Sequence, residues 1–206
     1  MSAIETHDTK SVILVGNSCK IIGLKLGKYI DKFDCVVRFN TAVINGYKID
    51  LGSKFDIHHI NHPRLGFNHY RVKNKLLADC TFRYGKILTS HAKLIQSQDN
   101  PYIPYEFLKK YYDKYNMNYH FSSGLSCILY FLFYLNYKFI YITNFNHYQR
   151  KKEEPAHYYD IFDKKNFKNA DYDWLQKGGK HEWKKEENIV KQLILENKIK
   201  VLENSL

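Results

Sequence analysis

The sequence has few cysteines and no long hydrophobic run, and each shortage excludes a class of protein. Its four cysteines form no CxxC pair and have no metal-like spacing, which argues against a disulfide scaffold or a zinc ribbon. The longest apolar stretch, residues 125–137, is shorter than the roughly 20 residues of a transmembrane helix. The first residues, MSAIETHDTK, are polar, which predicts no signal peptide. We therefore expect no transmembrane segment and a cytoplasmic or otherwise intracellular reducing compartment.

Arginine is also scarce, since only five of the 32 basic side chains are Arg and the others are Lys. Bidentate recognition of phosphate and guanine favours Arg, so the composition argues against a nucleic-acid partner despite the net charge of +11. The positive charges are spread along the chain, and an even basic field also concentrates a small anionic substrate. A nucleic-acid-binding module, which would bind DNA with a steep salt dependence, is kept as a third alternative.

Apolar runs that end in a polar residue alternate with helical segments along the chain. The run SVILVGN at 11–17 is typical of a buried parallel strand, and FDCVVRFN, KFDIHHIN, GKILTSH and KFIYITNF predict four more. Helices are predicted over residues 20–31, 105–115 and 183–197, with a short final strand in IKVLEN. The alternation predicts a single α/β domain over residues 1–206, with a mostly parallel central sheet flanked by helices.

Small polar residues lie where ligands bind in such a sheet, beyond the carboxyl ends of its strands. Asn17, Asn40 and Asn61 stand at or just beyond the ends of three predicted strands. The stretch Ser122–Gly124 precedes an apolar helix, whose first N–H groups and positive dipole end can hold an anion. A second interpretation stays open, in which Ser122 only caps that helix.

Four segments of the chain together carry a pattern that none of them carries alone. Residues 15–56 read VGNSCKIIGLKLGKYIDKFDCVVRFNTAVINGYKIDLGSKFD, 121–145 read FSSGLSCILYFLFYLNYKFIYITNF, 157–160 read HYYD, and His181 is followed by Glu186. In this order they resemble the large, small, third and very small sialyl motifs of the eukaryotic-type sialyltransferases, glycosyltransferase family 29. The resemblance extends over most of residues 12–190 and is to a minimal, soluble member of that family.

The resemblance implies a GT-A-like variant of the α/β fold and an enzyme. Its reaction would be the inverting, metal-independent transfer of sialic acid or a related ulosonic acid from a CMP-activated donor to a hydroxyl of a glycan acceptor. No cofactor is implied beyond the donor substrate itself. The resemblance assigns the cytidine monophosphate to Asn17, Ser18, Asn40, Ser122, Ser123 and Gly124.

The two histidines of the later motifs receive the chemical roles. His157 would hydrogen-bond the departing phosphate, and His181 would be the general base that removes the proton of the acceptor hydroxyl. Asn61 and Glu186 are candidates for support, with Glu186 orienting the last helix or the base. These roles agree with simple chemistry, because a helix end, hydroxyls and an imidazole can stabilise a leaving phosphate without a cation, and His titrates near neutrality.

The sequence departs from the family pattern at three positions. Cys19 stands where the large motif usually has Gly. The disulfide that joins the two sialyl motifs in animal members has its positions at Val12 and Leu135, both apolar here. We expect from this that the protein folds without that disulfide, in agreement with a reducing compartment.

Two rival interpretations of the function remain. Asp171 and Asp173 form an Asp-x-Asp triplet of the kind used by metal-dependent nucleotide-sugar glycosyltransferases, and sensitivity to EDTA would favour that alternative. A non-catalytic nucleotide- or glycan-binding protein of the same fold is the other. The histidines His58, His59 and His62 suggest zinc, but neighbouring residues of a strand point to opposite faces, so we expect no metal site there.

Overall fold

A parallel β-sheet forms the centre of the molecule. The computed structural model describes residues 10–40, 42–60, 74–78, 102–119, 121–145, 154–155, 157–158 and 181–204. In these ranges the strands are β1 (Ser11–Val15), β2 (Cys35–Phe39), β3 (Ile57–Ile60), β4 (Asn74–Ala78), β5 (Tyr102–Ile103), β6 (Phe139–Thr143) and β7 (Lys200–Val201). Their spatial order is β5-β4-β3-β2-β1-β6-β7, and all six pairings are parallel. The predicted fold class is confirmed.

Helices cover both faces of this sheet. They are α1 (Gly27–Ile30), α2 (Lys48–Leu51), α3 (Tyr105–Lys114), α4 (Ser123–Phe133) and α5 (Trp183–Leu195), with 3-10 turns at Cys19–Ile21 and Leu202–Asn204. Because successive side chains of a strand point to opposite faces, β1 supplies both layers of the core. Val12 and Leu14 pack in a cluster with α3, α4 and α5. Ile13 and Val15 pack in a second cluster with α1 and α2.

The helix predicted over residues 20–31 is wrong. The structure has the 3-10 turn Cys19–Ile21 there, followed by an irregular turn and the short α1. Gly23 and Lys25 have positive φ angles of 90° and 55°, which a right-handed helix does not allow. The Lys25 N–H donates to the Asp50 carboxylate at 2.9 Å, so a partner distant in sequence holds this conformation.

Other predicted elements agree with the structure apart from their ends. The predicted helices at 105–115 and 183–197 are α3 and α5, each one or two residues shorter. Strand β4 has no counterpart among the predicted strands, and the strand predicted at 85–91 lies outside the described residues. Within the described ranges, no helix combines the length and the apolar composition needed to cross a bilayer.

The carboxyl ends of β1 and β6 meet at one edge of the sheet. β1 pairs with β6 through Val15 and Thr143, and the Gly16 N–H continues the ladder by donating to the Thr143 carbonyl at 2.9 Å. A Cβ atom on Gly16 would lie 2.3 Å from the Asn144 carbonyl oxygen, so only glycine allows this close approach. The loop after β1 is therefore packed against the loop after β6.

Candidate functional site

A cavity of about 140 Å³ opens at this edge of the sheet. Residues from six separate segments of the chain line it: the loop after β1, the end of β2, the start of α4, the segment after β6, and the two histidine segments. Its described lining residues are Gly16, Asn17, Phe39, Asn40, Ser122, Ser123, Gly124, Phe145, His157, His181 and Trp183. Seven of the predicted site residues are thus brought together, and they come from all four motifs.

Asn17 and Tyr158 join the first motif to the third. The buried Asn17 side chain donates from Nδ2 to the Phe39 carbonyl at 2.9 Å, which ties the loop after β1 to the end of β2. Its own carbonyl accepts the Tyr158 N–H at 3.0 Å. Tyr158 is 1% exposed, and its hydroxyl donates to the Val43 carbonyl at 2.7 Å. This buried anchor holds the neighbouring His157 at the cavity.

Asn40 enters the cavity through a strained backbone. Its φ angle is +48°, a left-handed conformation that Asn adopts more readily than most residues. The Asn40 N–H donates to the His59 carbonyl at 2.9 Å, and the Asn40 carbonyl accepts a hydrogen bond from Nε2 of His58 at 2.5 Å. His58 is therefore a support for Asn40, while the ring of His59 packs against Phe39.

Ser122 has the capping role that the second interpretation of the sequence predicted. It is the N-cap of α4, because its hydroxyl oxygen accepts the Leu125 N–H at 3.3 Å. The Ser122 hydroxyl donates its proton to Oε2 of Glu186 at 2.6 Å, and the Ser122 backbone N–H donates to Oε1 of the same carboxylate at 2.7 Å. A hydroxyl has a single proton to donate, so Ser122 cannot also donate to a phosphate while this contact lasts.

The groups left for an anion are the next two backbone N–H groups of α4. Those of Ser123 and Gly124 have no hydrogen-bond partner within the part of the chain that the structure describes, as is usual for a first helical turn. Both residues line the cavity. A Cβ atom on Gly124 would lie 2.4 Å from Cε1 of Phe145, so glycine lets this aromatic ring close over the helix start. The result is an electropositive helix end beside an apolar wall.

Glu186 connects the start of α4 with His181. The carboxylate is completely buried, and its Oε1 atom lies 3.7 Å from Nδ1 of His181. This distance is too long for a hydrogen bond, but the negative charge favours the tautomer with its proton on Nδ1. The Trp183 ring packs on the imidazole with the ring centroids 4.7 Å apart. Glu186, which was expected to orient the last helix or the base, thus hydrogen-bonds Ser122 of the second motif and faces His181 of the last motif.

The segment around His181 is fastened to the segment before α4 by a second set of contacts. The Glu182 carboxylate accepts the backbone N–H groups of Asn118 at 2.5 Å and of Tyr119 at 3.2 Å. Lys185 pairs with Glu182 at 2.8 Å and donates to the Asn116 carbonyl at 2.6 Å. Burial raises the pKa of Glu182, but the hydrogen bonds from Lys185, Asn118 and Tyr119 outweigh it, so this pKa lies below its usual range.

Three predicted site residues are not among those lining the cavity, namely Glu186, Ser18 and Asn61. The Ser18 side chain accepts the Lys20 N–H at 3.3 Å and so begins the 3-10 turn, while its carbonyl accepts from Nδ2 of Asn144 at 2.6 Å. Asn61 lies outside the described residues, as do Asp171, Asp173 and His62. The described residues contain no group of three or more His, Cys, Asp or Glu side chains able to hold a metal ion.

Sequence reasoning missed the apolar side of the cavity, formed by Phe39, Phe145 and Trp183. Phe39 and Phe145 form an edge-to-face pair with centroids 5.8 Å apart. A signal was present, because Phe39 and Phe145 each lie at the end of a predicted strand and Trp183 is two residues from His181. Aromatic residues are abundant throughout this chain, however, so their type alone does not distinguish these three.

Known proteins resemble the chain in sequence and in fold. The pattern of glycosyltransferase family 29 (sialyltransferase) matches residues 2–76. The β-galactoside α-2,6-sialyltransferase 2 of Gallus gallus is 35% identical over 80 residues, which are 38% of this chain and 15% of that protein. The CMP-N-acetylneuraminate-β-galactosamide-α-2,3-sialyltransferase 4 of Rattus norvegicus is 36% identical over 55 residues, 27% of this chain and 16% of that protein. The alignments therefore span about one sixth of the length of these relatives.

The fold similarity is more extensive than the sequence similarity. A crystal structure of a mammalian sialyltransferase in complex with Gal-beta-1-3GalNAc-ortho-nitrophenol superimposes with a TM-score of 0.65 at 20% identity, covering 94% of this chain and 69% of the other. A second mammalian sialyltransferase structure gives a TM-score of 0.67 at 19% identity, covering 94% and 68%. The protein therefore has the GT-A-like fold of the sialyltransferases.

The resemblance predicted from the four motifs is confirmed by these findings. The chain is similar in sequence to glycosyltransferase family 29 (sialyltransferase) over residues 2–76, and it has the fold of two mammalian sialyltransferases over 94% of its length.

The expected cytoplasmic or reducing compartment is wrong. The curated relatives are Golgi-lumenal enzymes of the secretory pathway. The cysteine argument fails for a physical reason, since Val12 and Leu135 both pack into one hydrophobic cluster, where apolar contact takes the place of a covalent link. Burial raises the pKa of the Cys35 thiol to about 12 and that of Cys127 well above its usual range. A raised pKa lowers the thiolate fraction of these two cysteines, so they are poor indicators of a redox compartment.

Proposed function

We propose that this chain is an inverting glycosyltransferase, which moves a sialic acid or a related ulosonic acid from a CMP-activated donor to a hydroxyl group of a glycan acceptor. One observation carries the proposal: a single cavity is lined by Asn17, Asn40, the start of α4, His157 and His181. The family relationship supports a nucleotide-sugar donor and a glycan acceptor. The donor nucleotide, the stereochemistry and the identity of the base are parts of the proposal.

The leaving group accounts for one side of the cavity. Transfer breaks the bond between the anomeric carbon and the phosphate oxygen, and the bonding electron pair leaves with cytidine monophosphate. The N–H groups of Ser123 and Gly124, the α4 dipole and the His157 imidazole can stabilise the charge that develops on this phosphate. Asn17 and Asn40 then bind the rest of the nucleotide.

The incoming hydroxyl accounts for the other side. The acceptor oxygen forms the new bond to the anomeric carbon from the face opposite the leaving phosphate, and its proton passes to His181. The Glu186 charge near Nδ1 favours a tautomer whose Nε2 carries the lone pair that accepts this proton. Trp183 packs on the ring and helps to keep Nδ1 toward the carboxylate, and the proposal assigns the role of base to the other ring nitrogen.

Nucleotide binding and transfer can be tested separately. Among CMP, CDP, UMP and UDP, we expect CMP to raise the melting temperature most, by about 5 °C or more at a concentration near 100 times its Kd. His181→Ala should retain this rise but lose CMP release from CMP-sialic acid in the presence of an acceptor, by about 10² to 10⁴ in kcat. Lys184→Ala, an exposed residue of the same segment, is the control and should change neither.

The same measurements separate the rival functions. Stabilisation by CMP with no transfer to any of a panel of glycan acceptors would favour a binding protein of the same fold. Larger stabilisation by UDP than by CMP would contradict the proposed donor class. Loss of turnover in EDTA would favour the metal-dependent alternative.

A further inference from the structure

A patch of exposed aliphatic side chains among lysines lies on the α1 and α2 side of the sheet. The exposed fractions of its apolar members are 37% for Ile22, 48% for Leu24 and 73% for Ile49. Lysines surround them, and all are exposed. We call this patch the basic apolar surface, and it consists of Ile22, Leu24, Lys25, Lys28, Lys48 and Ile49.

The backbone below this surface is rigidly connected. The Lys25 N–H donates to the Asp50 carboxylate at 2.9 Å, which fixes the Leu24 loop beside Ile49 on α2. A Cβ atom on Gly27 would lie 2.1 Å from the Lys48 carbonyl oxygen, so α1 and α2 are in direct backbone contact. The loop that carries Leu24 is therefore connected to α2, which carries Ile49, although the two residues are 25 positions apart in sequence.

The surface carries an excess of positive charge. Lys25, Lys28 and Lys48 line a shallow depression of about 500 Å³ together with Ile49. The acidic residue among its described lining residues is Asp31, whose oxygens accept the backbone N–H groups of Ser53 and Lys54 at 2.8–2.9 Å. That carboxylate is held by the protein backbone, and the three lysines are exposed.

From this combination we infer that the basic apolar surface binds an anionic lipid membrane. A membrane fits these residue types better than a protein partner does. Protein interfaces concentrate aromatic residues and Arg at their centre and are depleted in Lys, whereas the basic apolar surface consists of Leu, Ile and Lys. Aliphatic side chains can insert below the headgroups while lysines contact the negative lipids.

The position of this surface relates membrane binding to the candidate site. Ile22 and Leu24 follow the 3-10 turn at the carboxyl end of β1, the edge at which the cavity opens. Leu24 also lines a second cavity, of about 330 Å³, together with Phe145, and Phe145 lines the candidate site as well. Docking through the basic apolar surface would thus bring the candidate site close to the lipid. The inference does not depend on which sugar is transferred.

Vesicle cosedimentation of the complete chain tests this inference. The two vesicle types are phosphatidylcholine alone and phosphatidylcholine with about 30 mol% phosphatidylserine, each in about 50 mM and about 300 mM salt. We expect binding to the anionic vesicles in low salt, at least tenfold weaker binding to neutral vesicles, and a similar loss in high salt. Both Leu24→Ser with Ile49→Ser and Lys28→Glu with Lys48→Glu should weaken binding at least fivefold.

Matched control variants distinguish binding through this surface from nonspecific adsorption to the vesicles. Leu195→Ser removes an aliphatic side chain that is 82% exposed on α5, and Lys110→Glu with Lys114→Glu reverses two exposed lysines of α3. Both should bind as the wild type does, and circular dichroism melts check that every variant is folded. Equal binding to neutral vesicles, or equal losses in the control variants, would overturn the inference. Absence of vesicle binding together with binding to polyglutamate would overturn it in favour of an acidic protein partner.

Discussion

At the scale of the residue, Glu186 has the largest effect on how the candidate site is assembled. Burying an ionised carboxylate is costly unless its oxygens are hydrogen-bonded. Here both oxygens accept from Ser122, at the positive end of the α4 dipole. The same carboxylate lies 3.7 Å from the His181 ring. One side chain therefore holds the start of α4 and also favours one tautomer of the proposed base.

The substitution Glu186→Gln tests this double role. A Gln amide presents one acceptor and two donors, so one of the two Ser122 donors loses its partner, and we expect a stability loss of about 1–3 kcal/mol. Removal of a negative charge near Nδ1 makes the protonated imidazole less favourable, so the acidic limb of the pH profile of kcat/KM should move to lower pH. Thermal melts and rate profiles over pH measure the two effects.

Glu187→Gln is the matched control, because it removes the same charge one position away. Glu187 pairs with Lys184 and Lys191 and does not line the cavity. It should leave the acidic limb in place and cost less stability than Glu186→Gln. A Glu186→Gln enzyme whose acidic limb coincides with that of the wild type would show that the carboxylate only supports the fold.

At the scale of the element, contacts between distant segments determine the local conformation. The segment Asn116–Ser122 is held by Glu182, Lys185 and Glu186 from the start of α5, 64 to 69 residues later in the chain. The link between β1 and α1 is held by Asp50. Sequence periodicity predicted α3, α5 and the central strands because their buried apolar residues recur with the spacing of a helix or a strand. It failed at residues 20–31, because the decisive partner lies outside any local window.

Asp31 gives these connections a measurable pH dependence. Burial raises its pKa, but hydrogen bonds from the backbone of Lys54 and Ser53 and from the Ser53 hydroxyl outweigh it, so the pKa lies below its usual range. A lowered carboxylate pKa stabilises the folded state above the unfolded value of about 3.9, and this contribution is lost as the pH falls through the folded pKa. Asp31 is half-buried and its carboxylate is screened by solvent, so we expect a contribution of about 0.5–1 kcal/mol.

The substitution Asp31→Asn should therefore lower the melting temperature by about 2–4 °C near pH 7. The difference from the wild type should shrink from about pH 5 downward and disappear below the folded pKa. Asp113→Asn, whose carboxylate pairs with the exposed Lys109, is the control and should have a smaller effect. A difference that stays constant between pH 7 and pH 3 would mean that the ionised carboxylate does not provide the stabilisation.

At the scale of the whole molecule, the sequence predicted the sheet and the membership of the site better than the roles within the site. The motif positions predicted Asn17, Asn40 and both histidines, and these line one cavity. The sequence could not predict that the Ser122 hydroxyl is committed to Glu186, because hydrogen-bond partners depend on how α4 and α5 meet. Nor could it single out Phe39, Phe145 and Trp183 as the apolar wall, since that depends on which strand ends are neighbours.

The charge distribution around the cavity leads to a prediction about metals. A divalent cation that bridges nucleotide phosphates is usually held by carboxylate oxygens, and the described lining residues of this cavity include neither Asp nor Glu. The positive potential in the cavity comes from the first N–H groups of α4, which can bind a phosphate directly. We therefore expect CMP binding and transfer to be unchanged in about 5 mM EDTA and after addition of about 5 mM manganese.

The double variant Asp171→Asn with Asp173→Asn completes this test, since these two residues form the Asp-x-Asp triplet of the metal-dependent alternative. If the helix N–H groups carry the leaving charge, the variant should keep its CMP affinity and its kcat within about threefold, with or without manganese. Exposed Asp113→Asn is the control for a lost surface carboxylate. The proposal would be contradicted if the variant lost turnover and if manganese restored the activity of the EDTA-treated wild-type enzyme. A metal ion, and not the helix end, would then stabilise the charge of the leaving group.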